Sequence, residues 1–247
     1  MNDLDYERFY DRVGKINGWD FSNINVLTEG VKWDYHQEIL KRADPINLLL
    51  DIGSGGGENL LTLAASFAYI VGIDQSGEMI KTAEKKCMQA KYKNIRFCQM
   101  SSEFLQFPHE FFDIVTCRHA PFHPEEVAKV LKNGGYFITQ QVSEADKLNI
   151  KQAFHHQHKD ANGRLQGRYI NELKHAGFSI VRSDEYNATE YYQSPEDLLF
   201  LLKHTPIIPH FAEEKHHFKI FEEFVKNNTT SRGICTNSNR FLIIAKK

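Results

Sequence analysis

Asp51-Ile52-Gly53-Ser54-Gly55-Gly56-Gly57 closes an apolar stretch over residues 46–50, and a second apolar stretch ends at Gly72-Ile73-Asp74. A short strand, a glycine-rich turn, a helix and a second strand that ends in an acid are typical of a nucleotide-binding βαβ unit. Glycines in the turn let the backbone come close to a ligand, because a Cβ there would collide with it. The stretch therefore predicts an α/β fold with a ligand site at this turn.

Two features of the turn favour S-adenosyl-L-methionine (SAM) over a dinucleotide. The glycines fall at 53, 55 and 57, and Glu58 stands where the third glycine of the dinucleotide pattern belongs. Asp51 lies at the mouth of the turn, where its charge would repel a pyrophosphate and suits a cationic ligand. SAM carries an ammonium and a sulfonium, together with a ribose that Asp74 can hold. The turn therefore predicts a methyl donor as the ligand.

The composition limits the class of protein. A chain of 247 residues suits one large α/β domain with an insertion, or a domain with a small cap. The net charge of −2 provides no general attraction to nucleic acid or to anionic lipid. We expect no disulfides, because the four cysteines show no paired spacing of the metal or redox kind: Cys87, Cys98, Cys117 and Cys235. The acidic N-terminus lacks a signal peptide's apolar segment, and no apolar run approaches the ~20 residues of a membrane span. We expect a cytoplasmic protein without a membrane partner.

Strand-like and helix-like segments alternate along most of the chain. The predicted strands cover residues 48–51, 70–74, 95–100, 112–117, 136–141, 179–184 and 241–245. The predicted helices between them lie near residues 58–66, 76–90, 125–131, 147–158 and 167–175. Strands separated by helices predict an α/β fold with a doubly wound, seven-stranded, mostly parallel sheet.

Two segments outside this alternation are predicted to be caps. Residues 1–44 form an N-terminal helical cap segment, with an amphipathic helix in the first dozen residues and a second helix near 29–42. The core follows at 45–184, and the last strand lies in 240–247. Between them, residues 185–239 read as a helical insertion between strands six and seven. One helix begins at Ser194-Pro195 and another covers 210–226.

Several motifs in order resemble the class I SAM-dependent methyltransferases, in particular the group that includes ubiquinone/menaquinone C-methyltransferases and many small-molecule methyltransferases. The motifs are residues 51–57, residues 72–76 followed by Met79, residues 111–118, Val130-Leu131-Lys132-Asn133-Gly134-Gly135 and residues 173–178. A glycine turn alone is weak evidence, but the resemblance covers roughly residues 48–178. It implies a Rossmann-like methyltransferase fold with SAM as the cofactor.

The resemblance also implies which residues contact SAM. Asp51 and the glycine turn would hold the methionine end, and Asp74 the ribose. Met79, Ser101 and Ser102 would lie beside the adenine, although the family often has an aspartate at the position of Ser101. The full set of expected cofactor contacts is Asp51, Gly53, Ser54, Gly55, Gly57, Asp74, Gln75, Met79, Ser101, Ser102, Glu103 and Arg118.

Methyl transfer in this family is an in-line displacement, in which the enzyme mainly supplies proximity and alignment. A base is needed only when the nucleophile must lose a proton. His119 and His123 follow the fourth predicted strand, at the edge of the sheet where ligands bind, and are the candidate catalytic residues. In the alternative interpretation, His119 only packs against the cofactor and His123 caps the next helix. Cys117 ends a buried strand, which favours an inert thiol over a nucleophile.

Three further patterns have a functional and a plain interpretation. His155 and His158 have one-turn spacing, but a solvated helix face is favoured and no metal is expected. A basic stretch suits RNA or a solvated face, and we favour the latter: Lys81, Lys85, Lys86, Lys91, Lys93 and Arg96. Aromatic residues of the cap segments would line an apolar acceptor pocket or anchor the caps to the sheet: Tyr6, Phe9, Tyr10, Trp19, Phe21, Tyr186, Tyr191 and Tyr192.

The sequence thus predicts an enzyme that transfers a methyl group from SAM to a small or medium-sized metabolite. One alternative is a methyltransferase that acts on RNA or protein, which the near-neutral charge disfavours. A second is a non-catalytic SAM-binding module, since a fold does not guarantee turnover. The third is a nicotinamide-dependent dehydrogenase, against which Asp51 and Glu58 argue.

Overall fold

The computed structural model describes residues 3–16, 21–156 and 164–247. Its strands are β1 (Val26–Glu29), β2 (Leu48–Ile52), β3 (Tyr69–Asp74), β4 (Ile95–Gln99), β5 (Phe112–Arg118), β6 (Leu131–Val142), β7 (Ser179–Tyr192), β8 (Thr229–Thr230) and β9 (Gly233–Lys246). Its helices are α1 (Asp3–Ile16), α2 (Tyr35–Leu40), α3 (Glu58–Leu63), α4 (Gly77–Ala90), α5 (Pro124–Val130), α6 (Leu148–Ala153), α7 (Arg164–His175), α8 (Pro195–His204) and α9 (Lys215–Asn228).

The strands form one mixed sheet in the order β1-β7-β9-β6-β5-β2-β3-β4, with β8 paired to β9. Strands β2 to β6 pair in parallel, whereas β9 runs antiparallel to both β6 and β7. The predicted α/β fold and mostly parallel sheet are confirmed. The predicted number of strands is wrong, because the described residues form a nine-stranded sheet.

The additional strand β1 arises from pairing rather than from a local pattern. All of its residues are exposed, and it forms by antiparallel pairing with the end of β7, Val26 opposite Tyr192. The helix predicted near 29–42 is correspondingly shortened to Tyr35–Leu40. It begins where the Asp34 side chain accepts a hydrogen bond from the Gln37 N–H at 3.1 Å, a normal N-cap.

Strands β7 and β9 extend well beyond their predicted ends. They remain paired out to Tyr192 and Ile234, so that a long ribbon, which β1 and β8 flank at its far end, carries α8 and α9 there. Tyr186, Ala188 and Tyr192 are buried at alternating positions, but the sequence does not reveal this pattern because residues 185–192 also contain Asn, Thr and Glu.

The helix predicted over 147–158 covers only Leu148–Ala153. Trp19 and His158 lie outside the described residues.

Helices cover both faces of the sheet. One core contains Leu49, Ile70 and Ile114 of the sheet with side chains of α2, α3 and α4. The opposite core contains Leu50, Val115 and Phe137 with side chains of α5 and α7. This is the doubly wound arrangement that alternating strands and helices produce. A third core joins α6, α8 and α9 to the ribbon. Within the described ranges, no helix has the length and apolar character needed to cross a membrane.

A buried ion pair joins the ribbon to the segment after β6. The Lys147 ammonium is 2% exposed and lies 2.5 Å from a Glu190 carboxylate oxygen. It also donates to the Asn237 carbonyl at 3.1 Å, while the Tyr192 hydroxyl donates to Glu190 at 2.8 Å. A buried ammonium requires such partners, because removal from water is costly.

We expect Glu190→Ala to destabilise the protein by about 3–5 kcal/mol, since it leaves the Lys147 charge buried without its partner. The measurement is urea unfolding followed by circular dichroism. The matched control is Glu29→Ala, which removes the exposed ion pair between Glu29 and Arg232. That control should leave the unfolding midpoint nearly unchanged. Equal effects of the two substitutions would contradict the importance of the buried pair.

Candidate active site

The glycine turn between β2 and α3 is pinned to the end of β3. The Gly53 and Ser54 N–H groups both donate to the Ile73 carbonyl, at 2.8 and 2.9 Å. Gly53, Gly55 and Gly57 all have positive φ values, which favour glycine. A Cβ on Gly53 would lie 2.2 Å from the Ala120 Cβ, and one on Gly57 would lie 2.7 Å from the Phe97 ring. The turn thus forms a close cradle that side chains would fill.

Asp74 at the end of β3 holds two turns together. One carboxylate oxygen accepts from the Gly55 N–H at 3.0 Å, and the other accepts from the Ser76 N–H at 2.9 Å. Burial raises the pKa of Asp74, and these two hydrogen bonds oppose the rise. The structure therefore brings the predicted ribose-binding acid into direct contact with the glycine turn.

Asp51 lies at the end of β2, and its carboxylate accepts from the Thr116 hydroxyl at 2.6 Å. Burial raises the pKa of Asp51 from 3.8 to about 7, and the negative charge of Asp74 adds to the rise while the Thr116 hydrogen bond opposes it. Two carboxylates at one sheet edge thus disfavour each other's ionisation. A cationic group placed between them would relieve this repulsion.

The remaining predicted contacts lie around this edge in different environments. Met79 is buried, with its N–H bonded to Ser76 at the start of α4. Gln75 is exposed. The turn after β4 begins where the Met100 N–H donates to the Asp74 carbonyl at 3.0 Å. Within that turn, Ser101 and Glu103 are exposed, Ser102 is partly exposed, and the Glu103 N–H bonds to the Ser101 hydroxyl at 3.2 Å.

The end of β5 lies against the glycine turn. Arg118 is exposed, and its guanidinium lies 5.6 Å from the centre of the Tyr35 ring. His119 adopts a left-handed backbone conformation, with φ of 57°. It directly precedes Ala120, whose Cβ occupies the space beside Gly53. His123, in contrast, is exposed at the N-cap position of α5 and makes no capping hydrogen bond through its side chain.

A hydrogen-bonded chain reaches His119 from a residue that sequence reasoning missed. The Trp33 indole N–H donates to the Gln140 side-chain oxygen at 2.8 Å. The Gln140 amide nitrogen lies 3.1 Å from the Nε2 of His119. Separately, the backbone N–H of His119 donates to the backbone carbonyl of Gln140 at 2.9 Å. No local pattern links residues 33, 119 and 140, so only the folded chain reveals this contact.

Cys117 is a buried thiol. Its Sγ donates to the Ala120 carbonyl at 3.1 Å, and it also accepts from the Gln141 amide at 3.6 Å. Burial raises the pKa of Cys117, and the charge of Asp51 adds to the rise. Because the thiolate is the reactive form, this environment supports an inert thiol.

The residues at the turn fit SAM. The Ser54 hydroxyl is shielded from solvent and has no hydrogen-bond partner among the described residues. Such an orphaned group in a cradle without side chains is expected where a polar ligand supplies the partner. The carboxylates of Asp51 and Asp74 add acceptors for an ammonium and for ribose hydroxyls. The turn thus has the donor and acceptor set that this cofactor requires.

A group of possible metal ligands lies at the start of α9, in a place that the sequence analysis did not single out. Glu214, His216 and His217 have ligand atoms within 4.8 Å of one another. The first two side chains are exposed and bond to each other at 3.0 Å. The group is on the helical insertion and contributes nothing to the glycine turn.

Residues 50–139, from the end of β2 into β6, match the family described as a methyltransferase domain. The uncharacterized methyltransferase YcgJ of Bacillus subtilis is 37% identical over 97 residues, which cover 36% of this chain and 38% of that protein. The demethylmenaquinone methyltransferase of Lactococcus lactis is 28% identical over 167 residues, which cover 62% of this chain and 66% of that protein. The chain thus spans less than two thirds of the length of either relative.

Solved structures extend the likeness beyond this methyltransferase domain. The crystal structure of YcgJ gives a TM-score of 0.58 at 20% identity, over 86% of this chain and 97% of YcgJ. Geranyl diphosphate C-methyltransferase from Streptomyces coelicolor gives a TM-score of 0.53 at 14% identity, over 86% of this chain and 76% of that chain. At these identities the likeness shows a shared fold. The resemblance to the class I methyltransferases is confirmed by these matches together.

The raised pKa of Asp51 predicts a specific dependence of stability on pH. Between the unfolded pKa of 3.8 and the folded pKa of about 7, the folded protein holds a proton that the unfolded chain releases. Asp51 therefore lowers stability progressively as the pH rises through this window.

We expect Asp51→Asn, which resembles the protonated form, to unfold at nearly the wild-type urea concentration at about pH 4 and at a higher concentration above about pH 7. Asp113→Asn is the control at the opposite end of the sheet, where Asp113 accepts from the Leu48 N–H at 2.8 Å. A wild-type and Asp51→Asn difference that is constant with pH would contradict the raised pKa.

Proposed function

We propose that the protein is an enzyme that transfers a methyl group from SAM to a small or medium-sized metabolite and releases S-adenosylhomocysteine. The observation that carries the proposal is the pairing of two acids, Asp51 and Asp74, with a glycine turn that holds an orphaned hydroxyl on Ser54. A dinucleotide would place its pyrophosphate against these acids, which Coulomb repulsion disfavours. A sulfonium ligand with an ammonium group is attracted to them.

Different residues around the turn would contact different parts of the cofactor. Asp51 and the N–H groups of the turn would hold the methionine end, with the Ser54 hydroxyl as a further partner. Asp74 would accept from the ribose hydroxyls through lone pairs that the Gly55 and Ser76 N–H groups leave open. Met79, Ser101 and Ser102 would lie on the adenine side, with Gln75 and Glu103 at the rim. The fold shared with a methyltransferase solved with S-adenosylhomocysteine supports this use.

When bound, SAM supplies an activated methyl group on a good leaving group. The chain's own contribution is then to hold the acceptor atom in line with that methyl group and to exclude water. Arg118 and His119 follow the strand that ends beside Gly53, so they would face the acceptor. His123, at the start of α5, would contact the acceptor only at the far side of this space.

Two segments are proposed as caps over the site, residues 1–44 and 185–239. Helix α1 docks on the start of α4: the Ser76 hydroxyl donates to Asp11 at 2.6 Å, and the Thr82 hydroxyl donates to the Gly14 carbonyl at 3.1 Å. A cavity of about 230 Å³ separates α1 from α8 and the chain after it, with Phe9, Leu202 and Phe211 in its lining. The two caps therefore face each other across a space that is also lined by Arg8 and Arg12 and that no residue of the glycine turn lines.

Two lysines of the basic stretch, both on α4, give little support to an RNA acceptor. Lys81 pairs with Glu78 at 2.7 Å, and Lys86 pairs with Glu58. Because each of these two ammonium groups is offset by the carboxylate that it pairs with, they attract a phosphate backbone weakly.

Calorimetric titration with SAM, S-adenosylhomocysteine and NAD tests the cofactor. We expect micromolar binding of the first two and no binding of NAD, because the acids at the turn select a cation over a pyrophosphate. Binding of NAD alone would overturn the proposal, and so would the absence of binding by all three. Release of S-adenosylhomocysteine with an acceptor library then separates an enzyme from a binding module.

The raised pKa of Asp51 also predicts how the affinity for SAM depends on pH. Because the cation needs the carboxylate, we expect SAM affinity to fall by about tenfold per pH unit below pH 7. Asp51→Asn should weaken SAM binding by about thirtyfold or more and remove this pH dependence. Asp113→Asn should bind as the wild type does. Equal affinities of the two variants would show that Asp51 does not face the cofactor.

A further inference from the structure

The hydrogen-bonded chain from Trp33 to His119 fixes the position of the imidazole proton. An indole N–H can only donate, so the Gln140 atom that faces Trp33 must be its oxygen. The amide nitrogen of Gln140 then faces His119 and donates to its Nε2 at 3.1 Å. A nitrogen that accepts a hydrogen bond carries no proton in the neutral ring. The proton of His119 therefore resides on Nδ1.

The surroundings also keep this imidazole neutral. Burial lowers the pKa of His119 well below its usual value, and the cations Arg240 and Arg118 lower it further. Arg240 comes from β9, where it pairs with the buried carboxylate of Asp146, and Arg118 comes from β5. Tyr186 of β7 and Tyr35 of α2 are further titratable groups here, and burial raises the pKa of each so that both keep their protons. Among the residues that the structure describes, no group around the ring favours the imidazolium, except for the Asp146 carboxylate that Arg240 already neutralises.

The groups around His119 are hydrogen-bond donors. Arg118 stands opposite Gln140 in the sheet, and Tyr186 stands opposite Arg240. Within the described part of the chain, Arg118 forms no ion pair and donates from one nitrogen to the Asn59 side-chain oxygen at 3.5 Å, while neither His119 Nδ1 nor the Tyr186 hydroxyl has a hydrogen-bond acceptor. Arg118, His119 and Tyr186, which we call the donor group, can therefore still donate hydrogen bonds from N–H and O–H groups. The Trp33 ring packs against Tyr186 on one side of the donor group, at 4.5 Å between ring centres.

The donor group lies next to the glycine turn. Its member His119 precedes Ala120, which touches the position of Gly53. Under the proposed function, a ligand in the donor group would therefore lie beside the methyl donor. The donor group combines one guanidinium, that of Arg118, with two neutral donors, and this combination favours an oxygen that carries negative charge.

We propose that His119 acts as a neutral Nδ1–H donor, not as a base, and that the donor group binds a negatively charged oxygen of the methyl acceptor, such as a carboxylate or phenolate. This acceptor class rests on the proposed function, whereas the proton position does not. An acceptor that arrives as an anion has already lost its proton to solvent, so it requires no base from the protein.

Nitrogen-15 NMR of the histidine rings tests the proton position without any ligand. The His119 signals are assigned by their absence from His119→Asn, a variant that tolerates the left-handed backbone conformation. We expect a protonated Nδ1 and an unprotonated Nε2 that do not titrate near pH 6.5. A protonated Nε2, or a titration near pH 6.5, would overturn the donor assignment.

Gln140→Glu provides the sharpest control. Both oxygens of a glutamate accept, so one still receives the Trp33 N–H and the other requires a proton on the Nε2 of His119. We expect the Nε2 of His119 to gain a proton in this variant, with a higher imidazole pKa. In Trp33→Phe, which keeps the ring on Tyr186, we expect a mixture of the two tautomers, because Gln140 is free to turn. Unchanged ring signals in both variants would show that the chain does not set the tautomer.

Benzoate and benzylamine, which differ in the sign of their charge, test the acceptor class. We expect benzoate to bind and to shift the His119 Nδ1 signal, and benzylamine not to bind. His119→Ala should weaken the binding of benzoate by about tenfold. His119→Asn, whose side-chain amide supplies an N–H near the same place, should keep most of the wild-type affinity. Benzylamine binding, or no shift of His119 with benzoate, would overturn the anionic acceptor. SAM binding measured alongside keeps this outcome separate from failure of the proposed function.

Discussion

The carboxylate of Asp74 is the interaction on which the site depends. By accepting from the Gly55 and Ser76 N–H groups, it ties the glycine turn after β2 to the start of α4. Negative charge at the N-terminus of a helix is favourable because unpaired N–H groups and the helix dipole point toward it. The same placement holds a second acid, Asp51, close enough that the charge of Asp74 adds to the rise that burial causes in its pKa. The site is therefore built around negative charge that a bound cation would stabilise.

This charge distribution separates the chain from dinucleotide-binding proteins of similar topology. In both classes a glycine turn and a helix N-terminus meet a ligand at the carboxyl edge of a parallel sheet. A pyrophosphate is attracted to the bare N–H groups, and acids at the mouth of the turn cancel that attraction. The Ser54 hydroxyl and the two acids instead form a mixed set of donors and acceptors. The electrostatics of the turn, more than its shape, carry the proposed use of SAM.

The long ribbon of β7 and β9 determines what lies above this edge. It holds α8 and α9 beyond the sheet and is joined to the segment after β6 by the buried Lys147–Glu190 pair. It also carries Tyr186 and Arg240 to the same side as Trp33 and His119. The cap and the donor group thus depend on one structural feature, so that variation in the ribbon would change the acceptor without altering the cofactor turn.

The sequence by itself determined the cofactor half of the molecule. Residues 51–57 and 72–76 form one βαβ unit, and glycines and acids there act through local backbone geometry that the order of residues already contains. The alternation of strands and helices likewise predicted the sheet, because each element must bury its own apolar face.

Only the tertiary structure decided the acceptor half. Strand β1 exists because β7 offers it an edge, and the polar residues of 185–192 gain their alternating burial from pairing with β9. Trp33, His119 and Gln140 come from three separate segments, and their contact depends on the neighbouring positions of β5 and β6 in the sheet. The proton position on His119 is set by that contact. Local pattern cannot encode a hydrogen bond whose partners are neighbours only after the sheet has formed.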